Sequence, residues 1–383
     1  MIPAPKALRS PPPRPVVRAA FALYGALLRA AEQVLPAEVT MMQRIGGFWS
    51  TALLRVAARL AIAEHLAAGP MTAAELARLT GANEDALHRS LRALAAMGIF
   101  NLDGRARFSN NRLSETLRPG RVSSMKDIAE YFGSASNLDA WNDFERTVMT
   151  GESAFPRVHG VSVWDWFASH PDEMRAFAGS MTSMTEQSAP AIAGAYPFGK
   201  HARICDVAGS KGTLLAEILV QHPETRGVLF DAPHVLAEAP AYLRTRGVET
   251  RVETVAGSFF EAIPEGCNAY VLKDILHDWD DARCITILEN CRRAMVSGVS
   301  GVGSVGGANG SRDTRLLVAE VLVDRASTEP PGPLIDVQML AVCDGGRQRT
   351  AGEMGALFAR CGLELRAVHP SPMPNSVIEV ALR

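Results

Sequence analysis

Five residues in the C-terminal half have the types and spacing of a nucleotide-type ligand site. The run DVAGSKG, residues 206–212, follows a short apolar stretch. A turn of small residues there lets backbone N–H groups approach a ligand. Asp231 closes the next apolar stretch, GVLFD, about 20 residues beyond Gly212. An acidic side chain at that separation can accept hydrogen bonds from both hydroxyls of a ribose. A third stretch, NAYVLKD, ends at Lys273-Asp274 and runs into His277-Asp278-Trp279. A glycine turn alone is a weak signal. Asp206, Gly209, Gly212, Asp231 and Lys273 together are stronger, because all five fall at the ends of strand-length apolar stretches. That is where an open parallel sheet binds its ligands.

For these residues to converge, the chain from Ala202 must form such a sheet. The texture fits: RICDVA, a helix from Thr213, GVLFD, a helix from His234, ETRVETVAG, NAYVLKD, a helix from Asp280, then RLLVAEVLV. Strands alternating with helices predict an α/β fold with helices on both faces of a parallel sheet. Asp278, Asp280 and Asp281 could suggest a metal, but Asp280 suits a helix N-cap, and no metal is expected. The Gly/Ser-rich stretch from Val296 to Asp313 reads as a surface loop.

Upstream, residues 71–100 pair a capping-box pattern at Thr72 and Glu75 with a stop at Gly81. A second helix follows from Asn83 or Glu84, with Leu87, Leu91 and Leu94 on one face. Ile99 to Phe108 reads as a hairpin turning at Asp103-Gly104. This is a winged-helix layout. A net charge of -2 without a basic stripe argues against nucleic acid as its partner, so packing or dimerisation is expected. Residues 112 to about 198 read as helical and hold Trp141, Phe144, Trp164, Trp166 and Phe167. Phe177, Met181 and Met184 share one helix face, which is either core or the wall of a pocket. Residues 1 to about 16 read as a tail leading into an amphipathic helix. The apolar run Ala19–Leu28 is interrupted by Arg29 and is too short to span a bilayer, so no membrane association is expected. Six scattered Cys without a C-x-x-C pair predict buried thiols in a reducing compartment, which places the protein in the cytoplasm.

LKDILHDWDDARCITIL (272–288), LFDAPHVL (229–236) and DVQMLAVCDGGRQRT (336–350) together resemble one known family. They are similar to the S-adenosylmethionine-dependent O-methyltransferases typified by plant caffeic acid and hydroxyindole enzymes, whose bacterial relatives tailor polyketides, phenazines and carotenoids. The resemblance covers residues 40 to 383, approximately. It implies a Rossmann-like methyltransferase sheet preceded by a mostly α-helical winged-helix dimerisation domain. The expected boundaries are a tail and helix over 1–37, the winged helix over 38–115, a helical linker with substrate-pocket residues over 116–198 and the catalytic domain over 199–383. It further implies S-adenosylmethionine as cofactor, S-adenosylhomocysteine as product, a homodimer, and a small hydroxylated aromatic substrate.

Carried over residue by residue, the resemblance places Asp231 on the ribose and Lys273 beside the cofactor, with Ser258 and Phe259 of GSFF on the adenine side. His277 becomes the general base and Glu320 the residue that orients it. Phe177, Met181, Asp278, Met339 and Cys343 become substrate contacts. The chain departs from the family at Ala208 and Ser210, where glycines are usual, and at Ser258, where an acid is usual. Lys211 adds a cation beside the turn, and Gln348 replaces a second glutamate that would support the base.

The chemistry suits these residues. A phenol has a pKa of about 10, and a neutral imidazole can take its proton as the oxygen attacks. Glu320 ends the strand after the one leading to His277, so it can reach the second ring nitrogen and stabilise the imidazolium. Two other readings stay open. One is a relative that binds the cofactor but catalyses hydroxylation or decarboxylation, or has lost catalysis. The other is a winged-helix regulator that uses the second domain as a ligand sensor. The acceptor atom, oxygen against nitrogen or carbon, is also open.

Overall fold

The computed structural model describes residues 12–301, 314–328 and 330–383. The chain divides into two compact units. One comprises Ala19–Asp139 and Trp164–Met184; the other is chiefly Ala140–Val163 and Thr185–Arg383.

The first unit holds a small antiparallel sheet of β1 (Met71–Thr72), β2 (Phe100–Leu102) and β3 (Arg107–Asn110), in the order β1-β3-β2. The Thr72 hydroxyl accepts the Glu75 N–H while the Glu75 carboxylate accepts the Thr72 N–H, so the capping box opens the helix Ala73–Thr80. Gly81 ends it at φ 71°. Asn83 caps the helix Glu84–Ala96, whose Leu87, Leu91 and Leu94 are buried against Leu76, Phe100 and Phe108. Asp103 fixes the hairpin turn by accepting the N–H groups of Arg105 and Arg107, each at 2.9 Å. Helix, helix and hairpin thus form by local rules, and their apolar faces share one core. The first described helix starts at Arg14, earlier than expected, and none of its residues is buried. Among the described residues no single helix is long and apolar enough to cross a membrane. An aromatic cluster also lies in this unit. Phe177 stacks on Phe167 at 4.8 Å and meets Tyr131 and Trp164 edge-on at 5.2 and 5.8 Å.

The second unit is built on a seven-stranded sheet: β4 (Arg203–Val207), β5 (Arg226–Asp231), β6 (Val252–Ala256), β7 (Ala269–Lys273), β8 (Arg315–Val321), β9 (Leu363–Pro370) and β10 (Asn375–Leu382). The order is β6-β5-β4-β7-β8-β10-β9. The strands from β6 to β8 pair in parallel, and β10 runs antiparallel to both β8 and β9. Alternate residues of the central strands serve opposite faces. Cys205, Val207, Tyr270, Leu272 and Leu316 pack with the helices Asp281–Gly301 and Ala351–Arg360. Ile204, Leu229, Ala269, Val271 and Leu317 pack with the helix Thr213–Gln221 on the other side.

Two expectations need correction. The helix after β5 is Ala239–Thr245, preceded by a 3₁₀ turn at Leu236–Glu238, and does not begin at His234. The Gly/Ser-rich stretch is helical as far as Gly301; residues 302–313 lie outside the described residues. All six cysteines are buried free thiols.

Candidate active site

β4 delivers Asp206 and the turn that follows it. Ala208 at φ 58°, Ser210 at φ 54° and Gly212 at φ 78° all occupy the left-handed region. An L residue with a Cβ is disfavoured there by about 1–2 kcal/mol. Gly209 is demanded by space instead. A Cβ on it would lie 2.5 Å from Leu229 Cδ1 and 2.6 Å from the Asp206 carboxyl. Asp206 is therefore buried beneath the turn, where burial and then the nearby Asp231 push its pKa up to about 7. At the end of β5, Asp231 accepts the Ser210 N–H at 2.8 Å through Oδ2 and the Ala232 N–H at 2.7 Å through Oδ1. Burial raises its pKa against those two hydrogen bonds. Lys211 is turned away to an ion pair with Glu238. The Ser258 hydroxyl accepts the Phe260 N–H at 3.3 Å. The Phe259 ring packs beside Phe260 and Trp279 at the edge of the core.

β7 and β8 deliver the second half of the site. Glu320, the last residue but one of β8, is fully buried. Its Oε1 accepts the N–H groups of Ile275, Leu276 and His277 at 3.1, 3.0 and 3.3 Å. Its Oε2 lies 2.7 Å from His277 Nδ1. One carboxylate thus shapes the turn after β7 and fixes the ring that the turn carries. With Nδ1 donating to Glu320, Nε2 is the nitrogen left for chemistry. Nε2 lies 3.4 Å from Asp278 Oδ1. Cys343 Sγ is 3.7 Å from that same oxygen and 3.8 Å from Met339 Sδ.

The electrostatics follow from this crowding. Burial alone would lower the His277 pKa, but the charges of Glu320 and then Asp278 outweigh it and push it up to about 10. Burial pushes Asp278 up to about 7, with the His277 charge opposing. Asp274 has φ 54° and contacts Lys273 Nζ through Oδ2, while its Oδ1 accepts Asn375 Nδ2 at 2.8 Å. Burial would raise its pKa, yet Lys273 and His277 together hold it below the usual carboxylate range. Asp274, His277 and Glu320 each offer an atom within 4.8 Å of the others. Lys273 already balances Asp274, and Glu320 is committed to three backbone N–H groups and the imidazole. Asp274, His277 and Glu320 form an ion-pair network with Lys273.

The structure therefore gathers Asp206, Gly209, Gly212 and Asp231 at the adjacent ends of β4 and β5, and Lys273, His277, Asp278 and Glu320 at those of β7 and β8, with Cys343 and Met339 beyond Asp278. Phe177 and Met181 belong to the other compact unit, where the Phe177 ring is engaged in the aromatic cluster. Several site residues were given no role from the sequence. Arg349 is 2% exposed and donates to the carbonyls of Leu276 at 2.8 Å and Trp279 at 2.9 Å. It clamps both sides of His277, although an arginine in a polar run reads as surface. Asp274 and Asn375 meet only in three dimensions. Asp280 Oδ1 accepts the Arg283 N–H at 2.7 Å, which is the cap expected of it.

Comparison with known proteins places this geometry. The sequence matches the O-methyltransferase domain over residues 141–364 and the O-methyltransferase dimerisation domain over residues 42–119. It is 37% identical to phenazine O-methyltransferase PhzM of Lysobacter antibioticus, over 90% of this chain and 96% of that one. The crystal structure of LaPhzM superposes with a TM-score of 0.84 at 36% identity, covering 91% of this chain and all of that one. An O-methyltransferase from neocarzinostatin biosynthesis, solved with S-adenosylmethionine and 2-hydroxy-5-methyl naphthoic acid, matches at 32% identity and a TM-score of 0.71, over 88% and 96% of the two chains. The 8-amino-8-demethylriboflavin N,N-dimethyltransferase of Streptomyces davaonensis is 31% identical over 85% of this chain and 90% of its own. The chain belongs to the S-adenosylmethionine-dependent O-methyltransferases that carry a dimerisation domain ahead of the catalytic one.

Proposed function

We propose that this enzyme methylates a hydroxyl on a small aromatic secondary metabolite, with His277 as general base and Glu320 as its orienting partner. The observation that carries the reading is the Glu320 carboxylate, which holds Nδ1 at 2.7 Å and leaves Nε2 for the acceptor hydroxyl. Asp278 borders that position, with Cys343 against Asp278 and Met339 against Cys343, a line that supports the three as substrate contacts.

The residues present fit the cofactor. Gly209 is pressed onto Leu229 and the Asp206 carboxyl, which a Cβ would not allow, so the backbone of the turn 208–212 lies close over the ends of β4 and β5. Each Asp231 oxygen accepts one backbone N–H and retains a lone pair for a ribose hydroxyl. S-adenosylmethionine supplies an electrophilic methyl on a sulfonium centre. The chain must orient the acceptor and hold its proton. The charges of Glu320 and Asp278 push the His277 pKa up to about 10, which makes Nε2 a stronger base toward a phenol than a free imidazole is. At neutral pH the resting imidazole carries a proton, and activity should climb as the pH rises toward that value.

His277→Ala should keep S-adenosylmethionine binding, read by calorimetry, and lower turnover at least ~100-fold. A near-normal rate would place the base elsewhere. A nitrogen acceptor is the second reading, favoured by the similarity to the riboflavin-analogue N,N-dimethyltransferase. Matched phenols and arylamines separate the two, since a neutral aniline nitrogen can attack before it loses its proton.

A further inference from the structure

The C-terminal hairpin reaches the site through one side chain. Asn375 opens β10 opposite Val321 of β8 and is 7% exposed. Its Nδ2 donates to Asp274 Oδ1 at 2.8 Å. Asp274 is otherwise tied by its own N–H, which donates to Ala319 O at 3.0 Å, and by Lys273 Nζ on Oδ2. Its φ of 54° leaves the residue in a left-handed backbone state that depends on such ties.

We infer that Asn375 is a positioning residue that keeps the Asp274 carboxylate on Lys273 and off the His277 imidazole. The inference rests on the proposal that His277 is the base. The groups facing that imidazole are Glu320 from β8, Asp278 on its own turn, and Asp274 with Lys273 from the end of β7. Cys343 stands behind Asp278, and the Arg349 guanidinium sits on the carbonyls of Leu276 and Trp279. Glu320 is fixed by three backbone N–H groups. Asp274 is fixed on its Oδ1 side by Asn375. Without that donor the carboxylate has one cation on Lys273 and a second within reach on the ring. An Asp274 oxygen already lies within 4.8 Å of a ring nitrogen, and moving closer it would stabilise the imidazolium further.

The test uses full-length protein with Asn375→Leu, Asp274→Asn and the double variant. The readouts are the His277 ring titration by NMR without cofactor, the pH dependence of kcat/KM, and the melting temperature. Asn375→Leu should raise the ring pKa by about one unit and move the rising limb of the pH profile upward to match. In the Asp274→Asn background, Asn375→Leu should leave both unchanged, because the charge through which it acts is gone. Asn375→His, which can still donate, should restore most of the wild-type titration. A lower melting temperature with an unmoved titration would make Asn375 merely structural and overturn the inference. So would an equal shift in both backgrounds. If His277→Ala has nearly full activity while the NMR shift is as described, the positioning stands and the base assignment fails.

Discussion

Ala208 and Ser210 stand where the resemblance led us to expect glycine, and the structure shows the backbone that they adopt. Both keep the positive φ that glycine would adopt freely. The relevant balance is about 1–2 kcal/mol of local strain against about 0.4–1 kcal/mol of extra unfolded-state freedom that a glycine brings. Ala208→Gly and Ser210→Gly should therefore each be neutral to stabilising, by up to about 1.6 kcal/mol. Thermal unfolding reads this as an equal or higher melting temperature for each variant. A fall in both would mean that the turn does not hold the left-handed conformation in solution. The opposite sign is expected at Gly209, where a methyl would meet Leu229 and Asp206. Gly209→Ala should lower S-adenosylmethionine affinity even where the protein still folds. The sequence shows that a tight turn stands here, but not which of its residues needs φ above zero and which needs an empty Cβ.

At the scale of elements, the strand ends were legible and the contacts between them only in part. The parallel pairing from β6 to β8 follows from apolar runs alternating with helices, because a parallel strand needs a crossover, whereas the order of the strands does not. His277 and Glu320 could be paired from sequence since each stands at or beyond the end of an adjacent parallel strand. The C-terminal hairpin was not foreseen. β10 inserts between β8 and β9, and no local pattern announces an antiparallel strand that returns into a parallel sheet. Asn375 was missed for the same reason, since its partner Asp274 lies 101 residues away. Glu320 also does more than its position suggested, because the turn from Ile275 to His277 hangs on its carboxylate. The charge on that carboxylate stabilises the protonated ring, so neutralising it must let the ring release its proton at lower pH. Glu320→Gln should move the rising limb of the pH–rate profile down from about 10 and reduce the maximal rate. An unchanged limb would mean that some group other than His277 governs it.

The whole molecule raises the question of its partner. The match to a dimerisation domain begins at residue 42, and the helices around that point carry an apolar surface that none of the described residues covers. Met41, Met42, Ile45, Phe48 and Trp49 are between 56% and 64% exposed, on the consecutive helices Ala37–Ile45 and Gly47–Arg59. Phe21, Tyr24 and Leu27 on the preceding helix are as exposed. Isolated apolar side chains on a surface are ordinary, but a contiguous run of this size marks an interface. A second copy is the covering favoured here, because the dimerisation match adjoins the same helices. Light scattering should therefore return twice the 41.1 kDa chain mass. Phe48→Glu with Trp49→Glu would place two charges in that surface, and burying an unpaired charge costs far more than the lost apolar contact returns. The double variant should dissociate at concentrations where the wild type is dimeric and should keep its folded circular dichroism spectrum, since neither ring is buried within its own chain. A wild-type monomer, or a double variant that still pairs, would move the interface off these helices.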